Sequence, residues 1–120
     1  MRYLALFVLA ISLAQAGPIT GKVVGVSDGD TITVLTPAKE SVKVRLYGID
    51  APESKQAFGA RAKQELSGLV FGKAVRVEVV DKDRYGRTVG RVFVGDVDVN
   101  LEMVRRGFAV IPRNLVHLSG

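Results

Sequence analysis

No cysteine occurs in this chain, and its only histidine is His117. Without cysteine there is no disulfide, no thiol nucleophile and no thiolate metal site. The domain must hold itself together by packing alone. A single histidine argues against a histidine-based zinc centre and against a Ser-His-Asp triad. Any metal must then sit among oxygen donors, which favours calcium, magnesium or manganese. Internal repeats, low-complexity tracts and linkers are also missing, and 120 residues leave room for one small domain. Apolar residues make up 48% of the chain, enough for a real core of modest stability.

Tyr3 to Leu13 is almost wholly apolar; it follows Arg2 and precedes Ala14-Gln15-Ala16. A charge, an apolar stretch and small residues at the cleavage positions predict a secretory signal over residues 1–16, removed before Gly17. The run is too short to span a bilayer comfortably, which argues against a retained membrane anchor. The domain is then residues 17–120, secreted or periplasmic, with no stable membrane insertion after cleavage. Cleavage removes Arg2 and no acid, leaving 16 basic residues against 12 acidic ones, a net charge of +4. A basic exported domain suits a polyanionic partner such as nucleic acid.

Ile19 to Val26 is rich in β-branched residues and ends at Ser27-Asp28-Gly29-Asp30, a turn signal. Thr31 to Leu35 resumes a strand. Val42, Val44 and Leu46 then alternate with Lys43, Arg45 and Tyr47. The period changes at Phe58 to Val70, where Phe58, Ala62, Leu66, Leu69 and Val70 share a helical face; Gly72 is the expected stop. Ala74 to Val80 alternates again, with Val75, Val77 and Val79 inward. Arg87 to Val94 is a fifth strand, and Asn100 is the expected cap of a short helix over 101–106. The expected fold is a β-rich α+β domain. It is a five-stranded Greek-key barrel of the OB type, with one helix between strands 3 and 4 and a short helix after strand 5.

Asp30 and Asp50 are the metal candidates, one at a turn mouth and one just past a strand end. Two carboxylates from two loops can meet at one end of a barrel, with water and backbone carbonyls completing a hard cation's shell. Two acids are few, so weak affinity and several bound waters are expected. Taken alone, Asp30 also fits an ordinary turn, and Asp50 a capping residue. An EF-hand starting at Asp28 is excluded, because its twelfth position is Lys39. Glu53, three residues beyond Asp50, can orient and deprotonate a water; it also fits a first-turn glutamate favoured by a helix dipole. Arg45 and Arg87 suit phosphate, since guanidinium grips phosphate oxygens bidentately and keeps its charge; each also fits a solvated strand face. Tyr85 can stack on a base or pack on its neighbours. Together these are the parts needed to cut a phosphodiester.

As an ordered set, these motifs make the chain resemble the staphylococcal nuclease family over about Val23 to Val110. The set is Asp28-Gly29-Asp30-Thr31, then Arg45-Leu46 with Ile49-Asp50 and Pro52-Glu53, then Tyr85-Gly86-Arg87. Val99-Asn100-Leu101 and Val104-Arg105-Arg106-Gly107 complete it. The resemblance implies calcium held by Asp30, Asp50 and the backbone carbonyl of Ala51. It implies Glu53 acting on the attacking water, Arg45 and Arg87 on the phosphate and transition state, and Tyr85 against the nucleotide. The implied activity is calcium-dependent endonucleolytic cleavage of DNA and RNA to 3′-phosphates, largely independent of sequence, by a monomer. Family members usually continue into a long C-terminal helix. Pro112-Arg113-Asn114-Leu115 and the residues to Gly120 do not read as one, so that helix is expected to be missing. The alternative is a catalytically silent OB-fold module that binds nucleic acid or protein; cleavage by the purified protein separates the two.

Overall fold

The computed structural model describes residues 17–115. The expected signal over 1–16 and His117 lie outside the described residues. The elements in chain order are β1 (Ile19–Asp28), β2 (Thr31–Leu35), β3 (Ser41–Leu46), α1 (Ala57–Val70), β4 (Ala74–Lys82), β5 (Thr88–Val94), β6 (Val97–Asp98) and α2 (Val99–Arg105). Their order in the sheet is β3-β2-β1-β4-β5-β6, and β3 also pairs with β5. That last pairing is parallel, with Val44 opposite Thr88 and Leu46 opposite Gly90. It closes the first five strands into a mixed barrel, the OB-type architecture expected from the sequence.

Closure needs a strand that serves two neighbours. β1 does so by pairing with β4 through Ile19–Lys22 and with β2 through Lys22–Asp28. Register shifts at Val23/Gly25 and Val26/Asp28 bend it from one to the other. Inside, Val23, Ile32, Val34, Val44, Val77 and Val92 are fully buried. Such short β-branched side chains fill a narrow barrel without strained rotamers. Leu66 and Val70 of α1 and Val99 and Met103 of α2 join the same core. α1 lies on β1 and α2 on β5. Among the described residues no helix is long and apolar enough to cross a membrane.

Several local expectations are corrected. β4 continues to Lys82, and a register shift between Val79 and Asp81 breaks its alternation, leaving Val79 half exposed rather than inward. β5 starts one residue late, so Arg87 belongs to the preceding turn. Phe58 is also half exposed; Gly59 takes the inward place on α1, alongside Ala62, Leu66 and Val70. A Cβ at position 59 would lie 1.7 Å from the Glu53 carbonyl oxygen, so only glycine lets the helix approach that loop. The cap of α2 is Asp98, whose carboxylate accepts from the Leu101 N–H at 3.0 Å. Asn100 is buried instead. Glu65 bonds across to Arg106 at 2.5 Å, which ties α1 to the end of α2.

Candidate active site

The turn between β1 and β2 is wedged into the fold. A Cβ on Gly29 would come within 2.7 Å of the Ala62 Cβ and 2.8 Å of the Ala51 Cβ. Glycine at this place lets α1 and the loop after β3 close on the turn from both sides. Hydrogen bonds finish the joint. Asp28 accepts from the Ser54 N–H at 3.0 Å, and Asp30 accepts from the Ala51 N–H at 2.9 Å and the Thr31 hydroxyl at 3.0 Å. Asp30 is only 7% exposed, so its carboxylate is held in one orientation.

Asp50 arrives by another route. After β3 the chain turns at Gly48, whose φ of +80° is left-handed and favours glycine. Asp50 then forms a two-way bridge with Val110, Asp50 N–H to Val110 O at 2.8 Å and the return bond at 2.9 Å. Asn100 steadies the same loop from below. Its amide donates to the carbonyls of Tyr47 (2.9 Å) and Gly90 (3.2 Å) and accepts from the Val92 N–H at 3.1 Å. Sequence reasoning took Asn100 for a helix cap; a polar residue beside apolar Val99 and Leu101 was the only signal of this role.

Arg45 joins the two acids. One guanidinium nitrogen donates to the carbonyls of Leu46 and Ile49, at 2.9 and 2.8 Å. The other is hydrogen-bonded to Asp50 and lies 3.5 Å from Asp30. Two carboxylates brought this close repel unless a cation sits between them. Here the cationic group is the chain's own arginine.

Arg87 is set by the turn from Asp83 to Arg87. Asp83 accepts from the backbone N–H groups of Tyr85 and Arg87, both at 2.9 Å, and from the Arg87 Nε at 2.7 Å. Partial desolvation pushes the Asp83 carboxyl up, but these bonds and the Arg87 charge outweigh it and leave its pKa below the ordinary 3.8. Asp83 is therefore a positioning residue for Arg87, and the sequence does not single it out. An aspartate opening a tight Tyr-Gly turn was the available signal. Tyr85 stands at the tip, 72% exposed, with the Arg84 and Arg87 guanidinium carbons 5.2 and 5.9 Å from its ring centre.

An open cleft of about 280 Å³ contains Arg45, Asp50, Asp83 and Arg87 in its walls. The structure thus brings Asp30, Arg45, Asp50 and Ala51 into one bonded group and sets Arg87 beside it. Glu53 is on the adjoining loop, exposed, and its carbonyl accepts from the Gln56 N–H at 3.0 Å. Among the described residues its carboxylate has no hydrogen bond or ion pair to the group. No third Asp, Glu or His joins Asp30 and Asp50 among the described residues. The donors nonetheless fit a hard cation. They are carboxylate oxygens converging from two loops, without sulfur or imidazole, and the Asp50 side chain is 54% exposed, which gives water access to the remaining positions.

The chain is similar to several known proteins. It is 47% identical over 106 residues to an uncharacterized endonuclease of Haemophilus influenzae, covering 88% of this chain and 60% of that protein. It is 46% identical over 114 residues to protein ParB of Escherichia coli, covering 88% and 64%. It is 43% identical over 114 residues to a micrococcal nuclease of Shigella flexneri, covering 88% and 65%. The chain therefore spans about three fifths to two thirds of the length of these relatives. A family model described as staphylococcal nuclease homologue matches residues 43–117. That segment holds Arg45, Asp50, Glu53 and Arg87, while Asp30 precedes it. With more than half of its length matched, this chain belongs to the staphylococcal nuclease homologue family.

Proposed function

We propose that this chain is an exported, calcium-dependent endonuclease that hydrolyses phosphodiester bonds of DNA and RNA to 3′-phosphate products. One observation carries the reading. Two carboxylates from separate loops converge on one arginine nitrogen, in a cleft that also holds a second, pre-oriented arginine. A phosphodiester needs cationic groups on its oxygens and an activated water, and the cleft offers the first directly. Export rests on the apolar leader over residues 1–16. The names of the relatives support nuclease chemistry, and the net positive charge suits a polyanion.

Asp30, Asp50 and the Ala51 carbonyl are the residues that would hold calcium. When bound, the ion supplies positive charge beside the scissile phosphate and lowers the barrier to attack. Arg45 and Arg87 bind the non-bridging oxygens and stabilise the extra negative charge of five-coordinate phosphorus. Glu53 takes a proton from the attacking water. The new P–O bond forms as the bond to the 5′ oxygen breaks; that oxygen takes a proton from solvent water and leaves as a 5′-hydroxyl, and Glu53 returns its proton to solvent. Tyr85 lies against the nucleotide. Because contacts fall on phosphate, cleavage is largely independent of sequence and weakens steeply with salt.

The purified chain is expected to digest single-stranded DNA and RNA in calcium and to stop when the ion is chelated. Glu53→Gln and Arg87→Ala are expected to lower kcat by about 100-fold or more with unchanged circular dichroism. Binding without cleavage in calcium, magnesium or manganese would instead identify a silent OB-fold module. Full activity of Glu53→Gln would remove that residue from the reaction.

A further inference from the structure

Glu53 is held differently from the other charged residues of the site. Its side chain is exposed, and among the described residues no hydrogen bond or ion pair reaches its carboxylate. The main chain alone therefore sets where that carboxylate starts from, and the main chain is fixed at three points. Before Glu53, the Ala51 N–H donates to Asp30 at 2.9 Å. After it, the Ser54 N–H donates to Asp28 at 3.0 Å. At the residue itself, the carbonyl accepts from the Gln56 N–H at 3.0 Å and faces Gly59, where a Cβ would stand 1.7 Å away. Pro52 removes a further freedom by holding its own φ at about −65°. Both flanking bonds end on one turn, on either side of the wedged Gly29. Asp28 is half-buried, takes an amide 26 positions away, and does not line the arginine cleft. A bond from a main-chain N–H to a charged carboxylate is among the stronger ones a side chain makes. Every group in this set of contacts lies between Asp28 and Gly59.

We propose that Asp28 is a positioning residue for Glu53, acting through the main chain at Ser54. The inference rests on the reading above, in which Glu53 takes a proton from the attacking water. The two acids of the turn then divide the work. Asp30 stands with Asp50 around the Arg45 guanidinium, where a cation is accommodated. Asp28 sets the distance from that place to Glu53. A proton acceptor must lie within hydrogen-bond reach of the water it acts on, and an exposed carboxylate on a loose loop spends little time there. Losing the Ser54 bond frees the chain just after Glu53 and leaves the Ala51 anchor in place, so the effect falls on Glu53 and spares Asp30.

The test is a double-mutant cycle with single-stranded DNA at saturating calcium. Asp28→Ala is expected to lower kcat by about tenfold to 100-fold and to change KM by less than about threefold, because the phosphate contacts are untouched. Asp28→Asn keeps an acceptor oxygen at the same reach and is expected to stay within about fivefold of the parent rate. In a Glu53→Gln background, where the carboxylate is already gone, Asp28→Ala is expected to cost less than about twofold more. Amide hydrogen exchange reads the same contact without catalysis. Asp28→Ala is expected to speed exchange at Ser54 by about tenfold or more and to leave Ala51 near its parent value. Should Asp28→Ala fail to melt cooperatively, Asp28→Ser takes its place, since a serine keeps a turn former but is too short to reach Ser54. Unchanged exchange at Ser54, or loss of the rate in Asp28→Asn, would overturn the proposal. Full activity of Glu53→Gln would sink the role assigned to Glu53 and the proposal with it. A slow Glu53→Gln that Asp28→Ala slows again by the full factor would sink the proposal alone.

Discussion

Two turns build this site, and they are held by opposite means. The turn from Asp28 to Asp30 is clamped by tertiary structure, with α1 on one side, the Ala51 loop on the other and its acids bonded to residues far away in the chain. The turn from Asp83 to Arg87 is held by its own first residue, whose carboxylate collects three donors within four positions. The first turn can be disturbed only together with the fold. The second can be disturbed alone. On the proposed reading, the acid that would hold the metal gains from the former, because its oxygens must not move. On the same reading, an arginine that would bind phosphate at an open rim gains from the latter, because a local device can set it without help from the core.

The largest effect is expected from forcing the clamped turn. Gly29→Val places carbon where Ala62 and Ala51 already stand, and should cost about 1–3 kcal/mol by thermal or urea unfolding. Unchanged unfolding would show that the turn is not wedged. A smaller effect, on activity and not on melting, is expected from Asp83→Ala. Loss of the bonds that aim Arg87 should lower kcat by about tenfold to 100-fold while the midpoint barely moves. Asp83→Asn, which keeps an acceptor for the backbone donors, should fall between the two. A large loss of melting temperature in Asp83→Ala would erase the contrast. The smallest effect is on pH. Asp83 has a lowered folded pKa, so its contribution is complete above the ordinary 3.8 and fades as pH falls through the folded value. Amide signals of Tyr85 and Arg87 should shift or broaden as pH falls below about 4.

The same contrast explains what could be read in the sequence. Alternation around Val44 and Leu46 and around Val75 and Val77 is local and was legible. The apolar pattern misplaces Val79, because a bulge shifts register without leaving a mark in it. Helical periodicity puts Phe58 inward because it rewards the larger side chain, whereas close approach to the Glu53 carbonyl requires glycine at the neighbouring position. Asp98 and Asn100 are equally good caps by residue type. Only the short β6 pairing decides that the helix starts at Val99 and turns Asn100 toward Tyr47 and Gly90. Arg45, Asp50 and Arg87 stood out as residue types. Their assembly did not, because Arg45 meets Asp30 only once β2 and β3 are in register and β3 has found β5.

The bridge between Asp50 and Val110 also sets an order in time. Every charged residue of the proposed site precedes residue 110 in the chain. A polypeptide synthesised from its N-terminus delivers Asp30, Arg45, Asp50, Glu53 and Arg87 before it delivers the partner that fixes Asp50 in place. The ingredients of the site precede their clamp, so the site is not completed until residue 110 has emerged.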